Sequence, residues 1–274
     1  MPELPEVETI KRTLGPHVQG KTIAGVEVYH PGVIAVPDAG TFIHLLAGKT
    51  ITGLDRRGKY LLFYLTGDCC LVAHLRMTGR LILTTANEPV LRHTHVIFRL
   101  ADSSTLRWVD SRRFGRLYLG EKDEVAVAAG LKKLGPEPLD PSFDAAALAA
   151  ACAGRRRPVK QVLLDQHLLA GIGNIYADEM LFLAGINPAR AASSLTAVEV
   201  TGLYQAMQAA LAQGIANYGT SFRDYVDSYG RQGKNQDYLQ VYGRAGRPCS
   251  RCGHTLERIK IGGRTTVFCP ACQV

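Results

Sequence analysis

Four cysteines near the end of the chain, Cys249-x2-Cys252 and, after sixteen intervening residues, Cys269-x2-Cys272, constrain the fold more than any other feature. Two such turns facing each other across a hairpin present four thiolates in a tetrahedron and leave no open position on a metal. That is the chemistry of one structural zinc ion rather than a catalytic one. A two-stranded ribbon of this size cannot bury a core of its own, so the ion would supply the order. The alternative, four unligated buried cysteines, leaves the repeated spacing without a cause. Between the pairs, Gly262-Gly263-Arg264-Thr265-Thr266 reads as a hairpin tip presenting one arginine.

The three remaining cysteines, Cys69, Cys70 and Cys152, make the total seven. An odd count without a basic leader, hydrophobic core and cleavage site argues for thiols and metal rather than disulfides, and for a cytoplasmic protein. No apolar run approaches the roughly 18 residues that would span a bilayer. The net charge of +8 favours a polyanionic partner such as nucleic acid, and residues 223–274 hold nine Lys or Arg against four Asp or Glu.

Residues 22–29, 50–55, 60–64, 71–75, 95–100, 105–109 and 116–119 read as short strands separated by Gly, Asp, Ser and Asn, a β-sandwich or barrel begun by an N-terminal helix. In that helix Pro5 suits the first turn and Glu6 and Glu8 suit its positive end. Val7, Ile10 and Leu14 mark one apolar face, and Gly15-Pro16 is the expected stop. Three prolines in Gly135-Pro136-Glu137-Pro138-Leu139-Asp140-Pro141 read as a connection between domains. Beyond it the period turns helical, with helices expected over 163–169 and 175–183 around a glycine-rich turn. Thr196-Ala197-Val198-Glu199 is a capping box opening a longer helix through Ile215. The fold class is therefore α+β, with expected domains 1–130, a linker 131–142, then 143–224 and 225–274, the finger proper spanning about 240–274.

The first residues carry a chemical possibility. An initiator Met before a small residue is normally trimmed, which would leave Pro2 a free secondary amine beside the Glu3 carboxylate. Such an amine condenses with an aldehyde-level carbon to a cationic iminium, an electron sink that eases elimination. The plain alternative is that Pro2 and Pro5 merely start a helix. Elsewhere the Gly171-x-Gly173-Asn174 turn entering a helix, with Arg155-Arg156-Arg157 and Lys160 upstream, suits a DNA backbone phosphate. Basic and wedge-like side chains recur in Arg56-Arg57-Gly58-Lys59, His74-Leu75-Arg76-Met77, His93-Thr94-His95 and Arg112-Arg113-Phe114-Gly115. Met, Arg and Phe can fill the gap left when a base is drawn from a duplex.

Taken together and in order, the Pro2–Thr9 start, Arg56 to Tyr60, His74 to Met77, Arg112 to Gly115, Leu134 to Pro138, Gly173 to Tyr176, Gln240 to Arg244 and the four-cysteine finger resemble the bacterial formamidopyrimidine-DNA glycosylase family. The resemblance implies an N-terminal β-sandwich domain, a helix-two-turns-helix domain and a C-terminal zinc-finger hairpin. It implies a bifunctional base-excision-repair glycosylase and AP lyase for oxidised purines, chiefly 8-oxoguanine and formamidopyrimidines opposite cytosine. Damaged double-stranded DNA would be the partner of a monomer associated with the bacterial nucleoid.

By the same resemblance Pro2 attacks C1′ and forms the iminium, Glu3 serves as general acid and base with Glu6 in support, and Lys59 serves β-elimination. Arg264 binds phosphate and assists δ-elimination. Met77, Arg112 and Phe114 fill the vacated duplex, and Lys160, Asn174 and Tyr242 bind phosphate. His74, His93 and Arg155 are DNA contacts, and the loop Gly219-Thr220-Ser221-Phe222-Arg223 closes over the everted base, with Thr220 a candidate reader. Ser111 stands where many members have proline, and Thr78 where some carry glutamate. Two other readings remain: an endonuclease VIII-like enzyme for oxidised pyrimidines, and a noncatalytic zinc-ribbon DNA-binding protein.

Overall fold

The computed structural model describes residues 1–222 and 224–274. By its internal contacts the chain forms two compact units, Met1–Lys133 with Asn217–Lys234, and Leu134–Ala216 with Asn235–Val274. The first unit is thus discontinuous in sequence, completed by an 18-residue segment that follows the long helix of the second.

The first unit opens with α1 (Leu4–Val18), whose Leu4, Val7, Ile10, Leu14 and Val18 form a buried stripe. The expected stop at Gly15-Pro16 does not occur. Pro16 falls in the last turn, where a missing N–H costs a single bond, and Gln19 N–H still reaches the Gly15 carbonyl at 3.0 Å. Then come β1 (Ile23–Val28), β2 (Ile34–Val36), α2 (Ala39–Leu46), β3 (Ile51–Arg57), β4 (Tyr60–Leu65), β5 (Cys69–His74), β6 (Gly79–Thr85), β7 (Thr94–Leu100), β8 (Ser104–Asp110), β9 (Arg116–Glu121) and α3 (Lys122–Ala128).

The strands make two sheets, ordered β1-β7-β8-β6 and β2-β9-β5-β4-β3, antiparallel except that β2 runs parallel to β9. One core joins both sheets and α1 through Leu14, Phe42, Phe63, Phe98, Leu106, Trp108 and Leu117, each such burial contributing about 1.5–3 kcal/mol. All seven expected strands are present. β2 and β6 were not anticipated, the first because it has three residues, the second because its burial alternates only over its first residues.

The second unit holds α4 (Ala145–Cys152), α5 (Val159–Leu163), α6 (Asn174–Ala184), α7 (Ala197–Ala216), β10 (Glu257–Ile261) and β11 (Arg264–Phe268). The helix expected over 163–169 instead ends at Leu163. The Gln166 side chain takes over backbone bonds after it, donating to the Leu164 and Ile172 carbonyls and accepting from Gly171 N–H. The capping box at α7 is realised: Thr196 N–H meets Glu199 Oε2 at 2.7 Å and Glu199 N–H meets Thr196 Oγ1 at 3.3 Å. The cysteine hairpin packs through Cys249, Leu256, Val267 and Cys269 on Phe182 of α6 and on Val241. Among the described residues no helix is long and apolar enough to cross a membrane.

Candidate active site

Pro2 and Glu3 are buried at the start of α1, where Glu3 is the last extended residue before the helix. Glu3 N–H, which the helix leaves without an intrahelical partner, donates to Glu6 Oε2 at 2.8 Å. The other Glu6 oxygen accepts Thr220 N–H at 2.7 Å. One buried carboxylate therefore splices the helix start to the segment 217–234. Tyr225 hydroxyl lies 3.3 Å from the Glu6 carbonyl and 3.2 Å from that of Tyr218, and burial with the nearby Glu6 charge pushes its phenol well up. Gly219 permits this approach: its φ is +80°, and a Cβ there would lie 2.9 Å from Glu6 Cγ. Thr220, expected to read a base, is buried with its N–H on Glu6. Arg223 of the same loop lies outside the described residues.

Lys59 is buried in the two-residue turn between β3 and β4, after Gly58 at φ +55°. Glu8, one turn beyond the helix start, fixes that hairpin. It accepts from Arg56 Nε at 3.0 Å and from Arg12 Nε at 2.8 Å, while Arg56 Nη1 holds the Gly58 carbonyl at 2.9 Å. Burial works to raise the Glu8 carboxyl, but the Arg12, Arg56 and Lys11 cations hold it below its ordinary value. At the end of β5, burial together with the Arg76 and Lys59 charges drives His74 down to about 3, so its ring is neutral. Its Nδ1 accepts Arg76 N–H at 3.1 Å, which places the ring proton of the neutral imidazole on Nε2.

The wedge-like residues gather on neighbouring loops of this unit. Met77 and Phe114 are 41% and 48% exposed, and Arg112 stacks on Phe114 with its guanidinium 4.5 Å from the ring. Arg76 and Arg113 hold positive φ beside them, and so does half-buried His93.

In the second unit the expected phosphate contacts divide. Arg264 is exposed at the first position of β11 and shares a groove with Arg157 and Gln161. Asn174 and Lys160 bond to the hairpin that carries it. Asn174 Nδ2 donates to the Thr265 carbonyl at 2.9 Å. Lys160 is 0% exposed, sits 2.5 Å from Asp178 Oδ1, and donates to Thr266 Oγ1 at 2.7 Å and to the Thr265 carbonyl at 3.2 Å. Lys160 thus organises the hairpin that carries Arg264 rather than facing solvent, because α6 offers a buried carboxylate one turn past Asn174. Burial pushes Asp178 up, to about 7, against the pull of Lys160. Arg155 Nη1 caps the carbonyls of Ala150 and Ala153 at the end of α4. Tyr242 is half-buried, its N–H donating to Glu179 Oε1 at 2.8 Å, one of three successive N–H groups on that carboxylate.

The four cysteine sulfurs lie within 4.8 Å of one another, with Cys249 and Cys272 3.9 Å apart and Cys252 and Cys269 3.5 Å apart. Tetrahedral bonds of about 2.3 Å place sulfurs about 3.8 Å apart, so the donor set fits zinc. Burial opposes ionisation of Cys249, yet the N–H groups of Cys252 and Arg251 and the neighbouring thiols hold it at about 7.

Glu8, Asp110, Asp178 and Glu179 were not anticipated as part of the site. Asp178 could have been found, since it falls four residues after Asn174 and so on the same helix face. Asp110 stood in plain view before Ser111-Arg112-Arg113, but a carboxylate beside arginines reads as an ordinary solvated pair.

Residues 1–117 match the family model described as Formamidopyrimidine-DNA glycosylase N-terminal domain, residues 134–225 the Formamidopyrimidine-DNA glycosylase H2TH domain, and residues 246–274 the zinc finger found in FPG and IleRS. A Formamidopyrimidine-DNA glycosylase of Moorella thermoacetica is 69% identical over 260 residues, 95% of each chain. One from Desulfitobacterium hafniense is 48% identical over the full length of both. Among solved structures, a Lactococcus lactis FPG mutant in complex with a Fapy-dG containing DNA superposes with a TM-score of 0.93 at 39% identity, over 99% of each chain.

Proposed function

The chain belongs to the formamidopyrimidine-DNA glycosylase family, and from that premise we propose that Pro2, Glu3 and Lys59 carry out base removal and strand scission on DNA bearing an oxidised purine. The protein is a base-excision-repair DNA glycosylase for oxidised purines with the family's AP lyase activity. The observation that carries the residue assignment is the helix start, where Pro2 and Glu3 are buried together in the unit that also presents Met77, Arg112 and Phe114 outward.

Once Met1 is removed, the Pro2 nitrogen has the lone pair that its amide form lacks. It bonds to C1′, the bond to the base breaks with its electron pair on the base, and the sugar ring opens to an iminium. Glu3, next in the chain to the nucleophile, delivers a proton to the ring oxygen and takes one back. Lys59, held in its turn by the Glu8–Arg56 link, serves proton transfer in β-elimination, where loss of a C2′ proton expels the 3′ phosphate. Arg264 binds the remaining phosphate and assists δ-elimination. Met77, Arg112 and Phe114 occupy the place of the everted nucleotide, with Arg112 toward the unpaired cytosine. His74 and His93 add DNA contacts. Asn174, Tyr242 and Lys160 serve binding of the backbone phosphates, Lys160 also supporting the hairpin that carries Arg264, and Arg155 adds a DNA contact. The segment around Thr220 closes over the everted base.

A zinc ion held by Cys249, Cys252, Cys269 and Cys272 would fix the hairpin that presents Arg264; no chemical step passes through it. The assay that tests the whole reading is borohydride trapping of Met1-processed protein on a duplex with 8-oxoguanine opposite cytosine, then peptide mapping. An adduct at Pro2 is expected; binding without an adduct, in protein with a free Pro2, overturns the mechanism. Thymine glycol belongs in the same assay, because a Lactococcus lactis relative of 39% identity has been captured with an oxidized pyrimidine containing DNA. Faster cutting of that substrate would overturn the purine preference.

A further inference from the structure

Three loops of the first unit carry the residues assigned above to the duplex, around Met77, His93 and Arg112-Phe114, and one buried residue, Asp110, bonds to all three, to two through its carboxylate and to the third through its backbone. Asp110 ends β8 and is 0% exposed. One of its oxygens accepts the Thr78 hydroxyl and, at 3.2 Å, Arg112 N–H; the other accepts Gly115 N–H at 2.8 Å. The turn 111–114 is therefore gripped at both ends by the two oxygens of one side chain, around an Arg113 at φ +60°. Thr78, directly after Met77, closes the triangle by accepting Arg112 N–H at 3.2 Å on the same hydroxyl oxygen that donates to Asp110. The Asp110 backbone serves the third loop, its N–H donating to the His93 carbonyl at 3.0 Å and its carbonyl accepting His95 Nε2 at 2.7 Å. Gly115 must lack a side chain for this, since a Cβ there would lie 2.4 Å from the Trp108 ring.

We propose that Asp110, with Thr78 as its partner, is the positioning residue that sets Met77, Arg112 and Phe114 at one fixed spacing for entry into the duplex. The inference rests on the reading under which those three fill the place of the everted nucleotide. A buried carboxylate with three donors is costly to leave unpaired and so enforces one loop geometry. Threonine at position 78 supplies a hydroxyl short enough to donate to Asp110 and accept from Arg112 at once. Serine can do the same; valine, with the same shape, can do neither.

The test compares wild type with Asp110→Asn, Thr78→Val and Thr78→Ser in two assays. One is single-turnover excision of 8-oxoguanine from duplex DNA. The other is borohydride trapping on a single-stranded abasic oligonucleotide, which has no partner strand to wedge apart. Asp110→Asn and Thr78→Val should lose excision by roughly 10- to 100-fold, the scale expected when positioned groups shift by about 1 Å, while trapping stays within about twofold of wild type. Thr78→Ser should retain excision. A role confined to stability would lower both assays in proportion, and that outcome overturns the inference, as would full excision by Asp110→Asn and Thr78→Val. Should Asp110→Asn fail to fold, the contrast between Thr78→Val and Thr78→Ser decides alone. Wild-type protein inert on lesion duplexes would overturn the functional reading itself; active wild type with indifferent variants overturns this inference only.

Discussion

Residues 249–274 and residues 2–9 each hold a short stretch of chain in one place, and they do so by different means. The cysteine hairpin draws its four donors from a local pattern, two of them three residues apart and then two more. The helix start draws on carboxylates whose partners are remote: Glu6 meets Thr220 across 214 positions, and Glu8 meets Arg56 across 48. With zinc held as proposed, order in the first can be removed by taking away the ion, without touching the chain. Order in the second depends on the unit being complete, so it can be lost only by changing the protein or its protonation.

The largest effect separates chemistry from support. Extending the N-terminus beyond Pro2, or blocking removal of Met1, should abolish the trapped adduct, a loss on the order of 10³-fold or more, as for removal of an essential nucleophile. Mass mapping of the borohydride product checks it. Undiminished trapping by the extended protein would place the nucleophile elsewhere. Next, chelation or Cys249→Ser should loosen the hairpin bearing Arg264 and weaken DNA binding by about tenfold or more, about 1.4 kcal/mol. Fluorescence anisotropy with a lesion duplex reads this, and metal-free protein of unchanged affinity would leave the finger without its assigned purpose.

The division between what was legible in the sequence and what was not follows the same line as the comparison. The cysteine spacing is a complete statement of its own site, because ligand count and turn geometry leave little freedom. Pro2 and Glu3 were chemically suggestive, yet as residues they fit an ordinary helix start; only their company with Arg112-Arg113-Phe114, Gly173-Asn174 and the finger pointed further. The ion pair of Lys160 was not legible, because a basic residue before a glycine-rich turn reads as a phosphate contact, while its partner Asp178 lies 18 residues on, across that turn in another helix. Gly15-Pro16 looked like a stop because sequence does not tell which turn of a helix a proline will occupy.

Smaller effects sharpen the contrast through protonation. His74 has a folded pKa near 3 against about 6.5 unfolded. Between those values the unfolded chain binds a proton that the folded one does not, so stability is present above pH 6.5 and falls as the pH drops toward 3. The slope from this one group is at most about 1.4 kcal/mol per pH unit. His74→Gln should flatten that part of the urea-unfolding profile against pH, and an unchanged profile would mean that the ring is charged in the folded protein. Glu6→Gln keeps one acceptor and turns a donor toward either Glu3 N–H or Thr220 N–H. It should cost about 1–3 kcal/mol, read by the same unfolding curves, with the hairpin's metal content unaltered. A parallel loss of metal would show that the two kinds of order are not separate.

The bond from Glu6 to Thr220 also joins the earliest and the late-made parts of one unit. The helix leaves the ribosome first, but the acceptor on Glu6 has no Thr220 to receive until 214 more residues have been made, which at about 5–20 residues per second takes roughly 10–40 s. The proposed nucleophile, Pro2, is thus among the earliest residues synthesised, and the bond that ties its helix to the segment 217–234 is among the last that can form.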